Sequence, residues 1–211
     1  MEMFHVATLL HDDVMDNAEM RRGSTATHKV FGVTETILAG DALLAKGNQI
    51  VAGFGDPRLT AATSDAIAQT ANGEILEIAN QGKNAPDLLI YNQIIAGKTA
   101  WMIRTSCNIG AVRANGTPEQ VAGATDYGFN LGMAFQIRDD MLDVVGDEQV
   151  FGKPIGSDKE EGKITYVDVD GLEGCARAVE ACTRKAKDAV AQWPDHDFLF
   201  ALADQLVDRN K

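Results

Sequence analysis

The sequence predicts an all-α protein, a bundle of helices around one core. Apolar residues recur at three- and four-residue spacing over long stretches, and helix-capping signals mark the ends of these stretches. No segment shows a convincing β-branched alternation, and residues 164–167 are too short to change the class. With 211 residues and 45% hydrophobic content, the chain suits a single domain with a sizeable core. We therefore expect one domain over residues 1–211.

The first helical pattern begins at the start of the chain. Phe4, Ala7 and Val14 follow helical spacing with no N-cap before them, and we expect the domain to be truncated at its N-terminus. A basic, turn-prone segment at residues 21–25 follows. The next helix is expected over residues 34–54.

Proline and glycine set the boundaries in the middle of the chain. Asp56 and Pro57 have the residue types of an N-cap and first helical position, so a long helix should run from there toward residue 81 and end at Gly82. Pro86 should open another helix. That helix is expected to carry residues 91–112.

The last part of the chain contains three helices and one long loop. The run Thr117-Pro118-Glu119-Gln120 has capping-box spacing and should start a helix that extends past residue 140. A glycine- and lysine-containing loop is expected over residues 146–171. Two amphipathic helices, 172–193 and 198–209, would complete the domain.

Composition excludes several classes of protein. A net charge of -12 argues against nucleic-acid binding, which needs clustered basic residues. Cys107, Cys175 and Cys182 form no CxxC pair, so neither a disulfide framework nor a zinc site is indicated. No signal peptide or membrane span is visible. We expect a soluble, cytoplasmic protein.

Two aspartate triplets carry the strongest chemical signal. Both have the spacing Asp-Asp-x-x-Asp, and they comprise Asp12, Asp13 and Asp16, and Asp139, Asp140 and Asp143. Such triplets place like charges within one helical turn, near helix C-termini where the macrodipole disfavours anions. A divalent cation would offset the repulsion. Carboxylates without nearby metal-binding His or Cys favour Mg2+ shared with a phosphorylated ligand.

Basic and apolar residues complete the expected substrate site. As a set, four basic residues are expected to bind a diphosphate group. They are Arg21, Arg22, Lys98 and Lys153. Cations and metal ions would make diphosphate a good leaving group, and an allylic substrate would then leave a carbocation. An apolar cavity would shelter its hydrocarbon, and the residues expected to line it are Phe4, Ala7, Thr8, Ile75, Leu76, Ile78, Met102 and Phe135.

These motifs resemble those of the trans-isoprenyl diphosphate synthases, the polyprenyl synthetase family. Residues 5–16, followed by Arg21-Arg22-Gly23, resemble its first aspartate-rich motif, and residues 135–143 resemble its second. Gly97-Lys98-Thr99 matches its Lys-Thr motif. Further matches are Gly152-Lys153-Pro154, Glu161-Gly162-Lys163 and residues 203–209. The resemblance covers essentially the whole chain and implies an isoprenoid-synthase-type helical bundle around a central apolar cavity.

The resemblance also implies a role for each site residue. Asp12, Asp16 and Asp139 would bind Mg2+, three ions with substrate bound, while Asp13, Asp140 and Asp143 support these ligands. Arg21, Lys98 and Lys153 would hold the allylic diphosphate, and Arg22 would contact isopentenyl diphosphate. Thr99 and Gln136 should flank the reacting carbons.

Three further expectations follow from the same resemblance. Family members carry a Gly-Gly-Lys-x-x-Arg segment ahead of the first motif, and this sequence contains no such segment, so we expect the isopentenyl diphosphate pocket to be incomplete as written. A bulky aromatic residue four or five positions before the first motif limits the product to farnesyl, and here those positions are Thr8 and Ala7. We therefore expect geranylgeranyl or longer all-trans products, with Phe4 as a later stop. We also expect a homodimer.

Three alternative functions compete with chain elongation. A class I terpene cyclase also uses Asp-Asp-x-x-Asp, but its second motif is typically Asn/Asp-x-x-Ser/Thr-x-x-x-Glu. A His-Asp phosphohydrolase is suggested by His11-Asp12, yet its metal site needs several further His ligands, and only His5, His28 and His196 remain. A non-catalytic subunit or inactive fragment of a synthase is the third alternative.

Overall fold

The computed structural model describes residues 1–82, 87–145 and 163–207. Helices dominate these residues, and the only strands among them are two of two residues each. The all-α class predicted from the sequence is therefore confirmed. The chain divides into two compact units, Met1–Ser64 and Asp65–Lys211, and the boundary falls inside one long helix.

The first unit contains the N-terminal acid motif. Its elements are α1 (Glu2–Met15), β1 (Met20–Arg21), β2 (Ser24–Thr25), α2 (Thr27–Phe31), α3 (Val33–Ala52) and the beginning of α4 (Pro57–Asn80). α1 packs on α3, and the ring of Phe4 lies directly against Gly47, where a Cβ atom would be only 2.9 Å from it. The absence of a side chain at Gly47 therefore lets the two helices approach closely.

The second unit contains the remaining site residues. After the C-terminal part of α4 come α5 (Leu88–Ile95), a π-helical turn (Ala96–Ala100), α6 (Trp101–Arg113), α7 (Pro118–Val145), α8 (Tyr166–Val190) and α9 (Asp197–Val207). α7 lies at its centre and packs on both α6 and α8. Gly128 and Gly132 permit close packing on one side of α7, because a Cβ atom there would lie 2.8 Å from the Ile103 carbonyl oxygen and 2.6 Å from the Ala100 Cα atom.

Two predicted helix starts are confirmed by their hydrogen bonds. The Asp56 carboxylate accepts a hydrogen bond from the backbone N–H of Arg58 over 3.0 Å, so Asp56 caps α4 as expected. At the start of α7, Thr117 and Gln120 form the reciprocal capping box. The Thr117 N–H donates to Gln120 Oε1 at 2.9 Å, and the Gln120 N–H donates to Thr117 Oγ1 at 3.3 Å.

Two predicted boundaries were wrong. α5 begins after Asp87, whose carboxylate accepts from the Leu89 N–H over 2.8 Å; Pro86 itself lies outside the described residues. α8 begins at Tyr166 rather than at residue 172, because Thr165 and Asp168 form a second capping box there. Gly171, with φ 66°, kinks this helix close to the predicted start.

Two local features were not predicted from the sequence. The expected continuous helix over residues 91–112 is interrupted by the π-helical turn. The turn expected at residues 21–25 is present, but its two short strands were not expected: residues 20–25 form a hairpin, in which Arg22 and Gly23 have φ angles of 51° and 77°. Among the described residues, no helix is both long and apolar enough to cross a bilayer.

Candidate active site

The first aspartate triplet lies at the C-terminal end of α1, as predicted. Asp16 is the C-cap of that helix. The side chain of Asp13 is only 2% exposed, and it accepts a hydrogen bond from Arg21 Nε over 2.7 Å. Asp12 is 28% exposed and lies 3.6 Å from the Arg21 guanidinium, while Asp16 is exposed. Asp13 therefore faces inward, and its two partners in the triplet remain open to solvent.

The β1–β2 hairpin positions both basic residues of this motif. Arg21 is in β1, and Arg22 occupies the turn in a left-handed conformation that non-glycine residues rarely adopt. The Arg22 guanidinium lies 3.5 Å from a ring nitrogen of His5. Burial works to lower the pKa of Arg21, but the hydrogen bond and charge of Asp13 outweigh it and raise that pKa. Arg21 is thus a cation at every working pH.

The three substrate-lining residues predicted in α1 are packed within the first unit. Phe4 is 1% exposed and Ala7 is completely buried. The Thr8 hydroxyl donates to the carbonyl of His5 over 2.8 Å. The side chain of Thr8 is thereby bound to its own helix. Contact of these three residues with a substrate stays a prediction.

Lys98 and Thr99 lie within the π-helical turn, a local feature that often marks functional sites. The turn packs very closely on α4, since a Cβ atom on Gly97 would lie 2.9 Å from the Cα atom of Gly73. Lys98 Nζ is 2.6 Å from a carboxylate oxygen of Glu74 and donates a hydrogen bond to Glu77. All three side chains are less than a quarter exposed. The predicted phosphate-binding lysine is therefore held between two glutamates.

The second aspartate triplet lies in the last seven residues of α7. Asp140 is 4% exposed and accepts hydrogen bonds from the Tyr91 hydroxyl at 2.6 Å and the Tyr166 backbone N–H at 2.7 Å. Asp143 is also buried, whereas Asp139 is partly exposed. As in the first triplet, the second aspartate faces the protein interior.

Thr99 and Gln136, predicted to flank the reacting carbons, are brought together. The Thr99 hydroxyl donates to Gln136 Oε1 over 2.9 Å, and Gln136 Nε2 donates to Asp140 Oδ1 over 3.3 Å. Phe135 is partly buried beside them on α7. A continuous hydrogen-bonded chain therefore leads from the π-helical turn to the second triplet.

Some predicted site features are not placed by the structure. Lys153 lies outside the described residues. The first triplet belongs to one compact unit and the second to the other, so their convergence on one ligand stays a prediction. Within the described parts of the chain, no three His, Cys, Asp or Glu side chains are grouped as a metal cage. Ile75 and Ile78, expected in an apolar cavity, are 65% and 54% exposed, so that expectation was wrong.

Four residues around the site were missed by sequence reasoning. Glu74 and Glu77 are three apart on α4 and therefore share a helix face, which is the one signal that pointed to a paired role. Tyr91 and Tyr166 gave no signal, because their contacts with Asp140 join residues 49 and 26 positions apart in the chain. Long-range pairs of this kind depend on tertiary packing.

Known proteins resemble this chain in both sequence and structure. Residues 1–195 match the family model described as Polyprenyl synthetase. A short chain isoprenyl diphosphate synthase of Methanothermobacter thermautotrophicus is 39% identical over 82% of this chain and 54% of its own length. The farnesyl diphosphate synthase of Escherichia coli strain K12 is 34% identical over 100% of this chain and 76% of its own length.

Solved structures give the same result. A decaprenyl diphosphate synthase from Rhodobacter capsulatus superposes with a TM-score of 0.93 at 30% identity, covering 100% of this chain and 77% of that one. A polyprenyl synthase from Caulobacter crescentus CB15, solved with calcium and isoprenyl diphosphate, has a TM-score of 0.89 at 29% identity, covering 100% of this chain and 76% of that one. This chain spans about half the length of the first curated relatives it matches.

Proposed function

Because this chain belongs to the polyprenyl synthetase family, we propose that it is a Mg2+-dependent trans-prenyltransferase. It would condense an allylic diphosphate with isopentenyl diphosphate to give an all-trans polyprenyl diphosphate. The observation that carries the proposal is shared by the two triplets. In each of them the second aspartate is buried and hydrogen-bonded, while the first remains partly exposed.

The residues fit Mg2+, which usually takes only one or two carboxylates together with water and phosphate oxygens. Asp12 and Asp16 are one turn apart at the end of α1, and both remain accessible to solvent. Asp139 on α7 is also partly accessible. We propose that these three hold the metal ions, three with substrate bound, and that Asp13, Asp140 and Asp143 support them. When bound, the ions would neutralise charge that builds on the departing diphosphate.

The basic residues would bind and orient the two substrates. Arg21, which pairs with Asp13, would bind the allylic diphosphate. Lys98, which lies between Glu74 and Glu77, would bind the same diphosphate, with Lys153 as a third cation.

Arg22 supports the proposal through its strained backbone, since such strain is concentrated at functional sites. It would contact isopentenyl diphosphate.

The reaction would proceed by ionisation followed by addition. The allylic carbon–oxygen bond breaks, and the electron pair leaves with the diphosphate. The double bond of isopentenyl diphosphate then attacks the allylic cation, and the resulting cation gives up a proton to the released diphosphate, which restores a double bond. Thr99 and Gln136 would flank the reacting carbons, and the apolar side chains Phe4, Ala7 and Phe135 would exclude water.

Product length is proposed to be geranylgeranyl or longer. The residues four and five positions before the first motif are Thr8 and Ala7, and both are too small to block a lengthening chain. Ala7→Phe should therefore shorten the products, and Ala7→Ser is the matched control. Chromatography of the products measures their chain length. If Ala7→Phe makes products of the same length as Ala7→Ser and the wild type, this part of the proposal is refuted.

We also propose a cytoplasmic homodimer. Ile75 and Ile78 are three apart on α4 and share one face, and both are mostly exposed, as is Leu89 on α5. Exposed apolar side chains on one helix face are typical of surfaces that another protein covers. Ile75→Asp with Ile78→Asp should produce monomers in analytical ultracentrifugation.

Turnover with defined substrates tests the proposed activity. The chain is incubated with geranyl or farnesyl diphosphate, labelled isopentenyl diphosphate and Mg2+. Elongated, labelled diphosphates support the proposal. A hydrocarbon formed without isopentenyl diphosphate would indicate a cyclase, and Mg2+-dependent binding without turnover would indicate a non-catalytic subunit.

A further inference from the structure

We infer that Asp140 is a positioning residue whose buried carboxylate sets the orientation of the Gln136 amide, and thereby decides where the Thr99 hydroxyl directs its proton. The inference rests on the proposed function, because Thr99 and Gln136 influence catalysis only if the reaction takes place beside them. It gives the second aspartate of this triplet a task separate from holding metal.

The first step is the saturation of the Asp140 carboxylate. Its Oδ2 atom accepts two hydrogen bonds, from the Tyr91 hydroxyl at 2.6 Å and from the Tyr166 N–H at 2.7 Å. Its Oδ1 atom faces Gln136 Nε2 at 3.3 Å. With 4% of its surface exposed, Asp140 is anchored by α5 and α8 and directs one oxygen atom at Gln136.

The second step is the orientation of the Gln136 amide. A carboxylate accepts hydrogen bonds and has none to donate, so the NH2 group of Gln136 must be the end that faces Asp140. The carbonyl oxygen Oε1 must then face the opposite way. Thr99 is on that side, with its hydroxyl 2.9 Å from Oε1.

The third step concerns the proton of Thr99. An amide oxygen can only accept, so the Thr99 hydroxyl donates its one proton to Gln136. The oxygen atom of Thr99 can then offer only lone pairs to any other neighbour. Lone pairs stabilise a nearby allylic cation, whereas an O–H group pointed at the cation would oppose its formation.

Asp140→Asn tests this chain of contacts without changing its shape. The carbonyl oxygen of the new amide would keep the two donors on the Oδ2 side, and its NH2 group would face Gln136. The Gln136 amide would then have to rotate and present its NH2 group to Thr99, which would reverse the direction of that hydrogen bond. We expect kcat to fall roughly tenfold or more, with the KM for the allylic diphosphate nearly unchanged and the Mg2+ requirement raised much less than by Asp139→Asn.

Two control variants separate positioning from metal binding. Asp139→Asn, on the same helix, should raise the Mg2+ concentration needed for half-maximal activity. In a Thr99→Val background, which has no hydroxyl proton to redirect, Asp140→Asn should no longer lower kcat. An additive double mutant, or a Mg2+ requirement raised by Asp140→Asn as much as by Asp139→Asn, would overturn the inference.

A second readout does not depend on activity. The side-chain NH2 signals of Gln136 in a 15N NMR spectrum, assigned through their loss in Gln136→Glu, should move in Asp140→Asn. If that variant does not fold, Tyr91→Phe removes one anchor of Asp140 and should move the same signals by less. Unmoved signals would overturn the inference. A wild-type chain that neither binds nor converts substrate would instead refute the proposed function while the NMR result still stands.

Discussion

Arg21 Nε donates a hydrogen bond to Asp13 Oδ1 over 2.7 Å, and this contact joins the β1–β2 hairpin to the end of α1. Because Asp13 is 2% exposed, its loss would leave the Arg21 guanidinium without its main buried partner. We predict that Asp13→Asn lowers the free energy of unfolding by about 1–3 kcal/mol. Urea denaturation measures the change.

The matched control for that variant is Asp41→Asn, which removes one charge from the same unit. Asp41 is 60% exposed and lies 3.6 Å from His11, so the change should cost less than about 1 kcal/mol. Equal destabilisation by the two substitutions would show that the Asp13–Arg21 contact has no special weight.

The close approach of Gly97 to Gly73 should be intolerant of any side chain. In Gly97→Ala the new Cβ atom would lie 2.6 Å from the Gln69 carbonyl oxygen, so α4 and the π-helical turn must move apart. We predict a loss of roughly 1–3 kcal/mol in stability, together with weaker diphosphate binding by Lys98. Thermal unfolding and calorimetry measure the two effects.

Gly110 provides the control for the glycine substitution. It is in α6, and nothing lies within 4 Å of the Cβ atom that alanine would add. Gly110→Ala should stabilise the protein by about 0.5–1 kcal/mol through helix propensity. If both glycine variants are stabilised, the packing described for Gly97 is incorrect.

We expect Glu77 to compete with the proposed phosphate ligand for Lys98. The two groups are hydrogen-bonded, and Glu74 is 2.6 Å from the same amino group. Removing the negative charge of Glu77 leaves the positive charge of Lys98 less neutralised, so Lys98 should attract an anionic ligand more strongly. Glu77→Gln should therefore bind inorganic diphosphate several-fold more tightly than the wild type in the absence of Mg2+. Calorimetry with EDTA present measures the change. Glu173→Gln removes one negative charge at an exposed position on α8 and should leave diphosphate affinity unchanged. A similar gain in affinity for this variant would show that net charge, and not Glu77, controls binding.

Buried thiols should make stability fall at alkaline pH. Burial raises the pKa of Cys107 to about 11 from an ordinary value of 9.0. Above pH 9 the unfolded chain loses this proton while the folded protein keeps it, so unfolding becomes more favourable between pH 9 and 11. Below pH 9 the group has no effect. Between pH 9 and pH 11, Cys107→Ala should therefore lose roughly 1–2 kcal/mol less unfolding free energy than the wild type. Both proteins are measured in the presence of reductant.

The pH prediction has its own internal comparison. Burial also raises the pKa of Cys175 to about 11, so the Cys107 variant should retain part of the alkaline slope. If unfolding free energy falls equally between pH 9 and pH 11 in the wild type and in Cys107→Ala, the alkaline effect does not come from Cys107.

The sequence predicted most helices because capping residues act locally. The N-cap at Asp56 and the capping box of Thr117 and Gln120 each involve residues two or three apart. Tyr166 shows the limit of this reasoning, since its segment resembled a short strand and loop. Its helical start depends on Asp168 and on a hydrogen bond from the Tyr166 N–H to Asp140, 26 residues away.

The candidate site was predictable in its residue types and less so in its contacts. The triplets and the cations could be identified from spacing and charge. The inward orientation of Asp13 and Asp140 could not, because two adjacent aspartates on a helix have the same residue type and differ only in what packs against them. The π-helical turn around Lys98 was also hidden, since its sequence is compatible with a regular helix.

The most direct test of the central claim is Mg2+-dependent binding of a thio analogue of farnesyl diphosphate, measured by calorimetry for wild type, Asp12→Asn and Asp139→Asn. If both triplets hold metal ions on one diphosphate, wild type should bind at least about tenfold more tightly when Mg2+ is present than in EDTA. Each variant alone should then lose about tenfold or more in affinity. Binding that is equal in EDTA, or that is unaffected by one of the two substitutions, would contradict the claim.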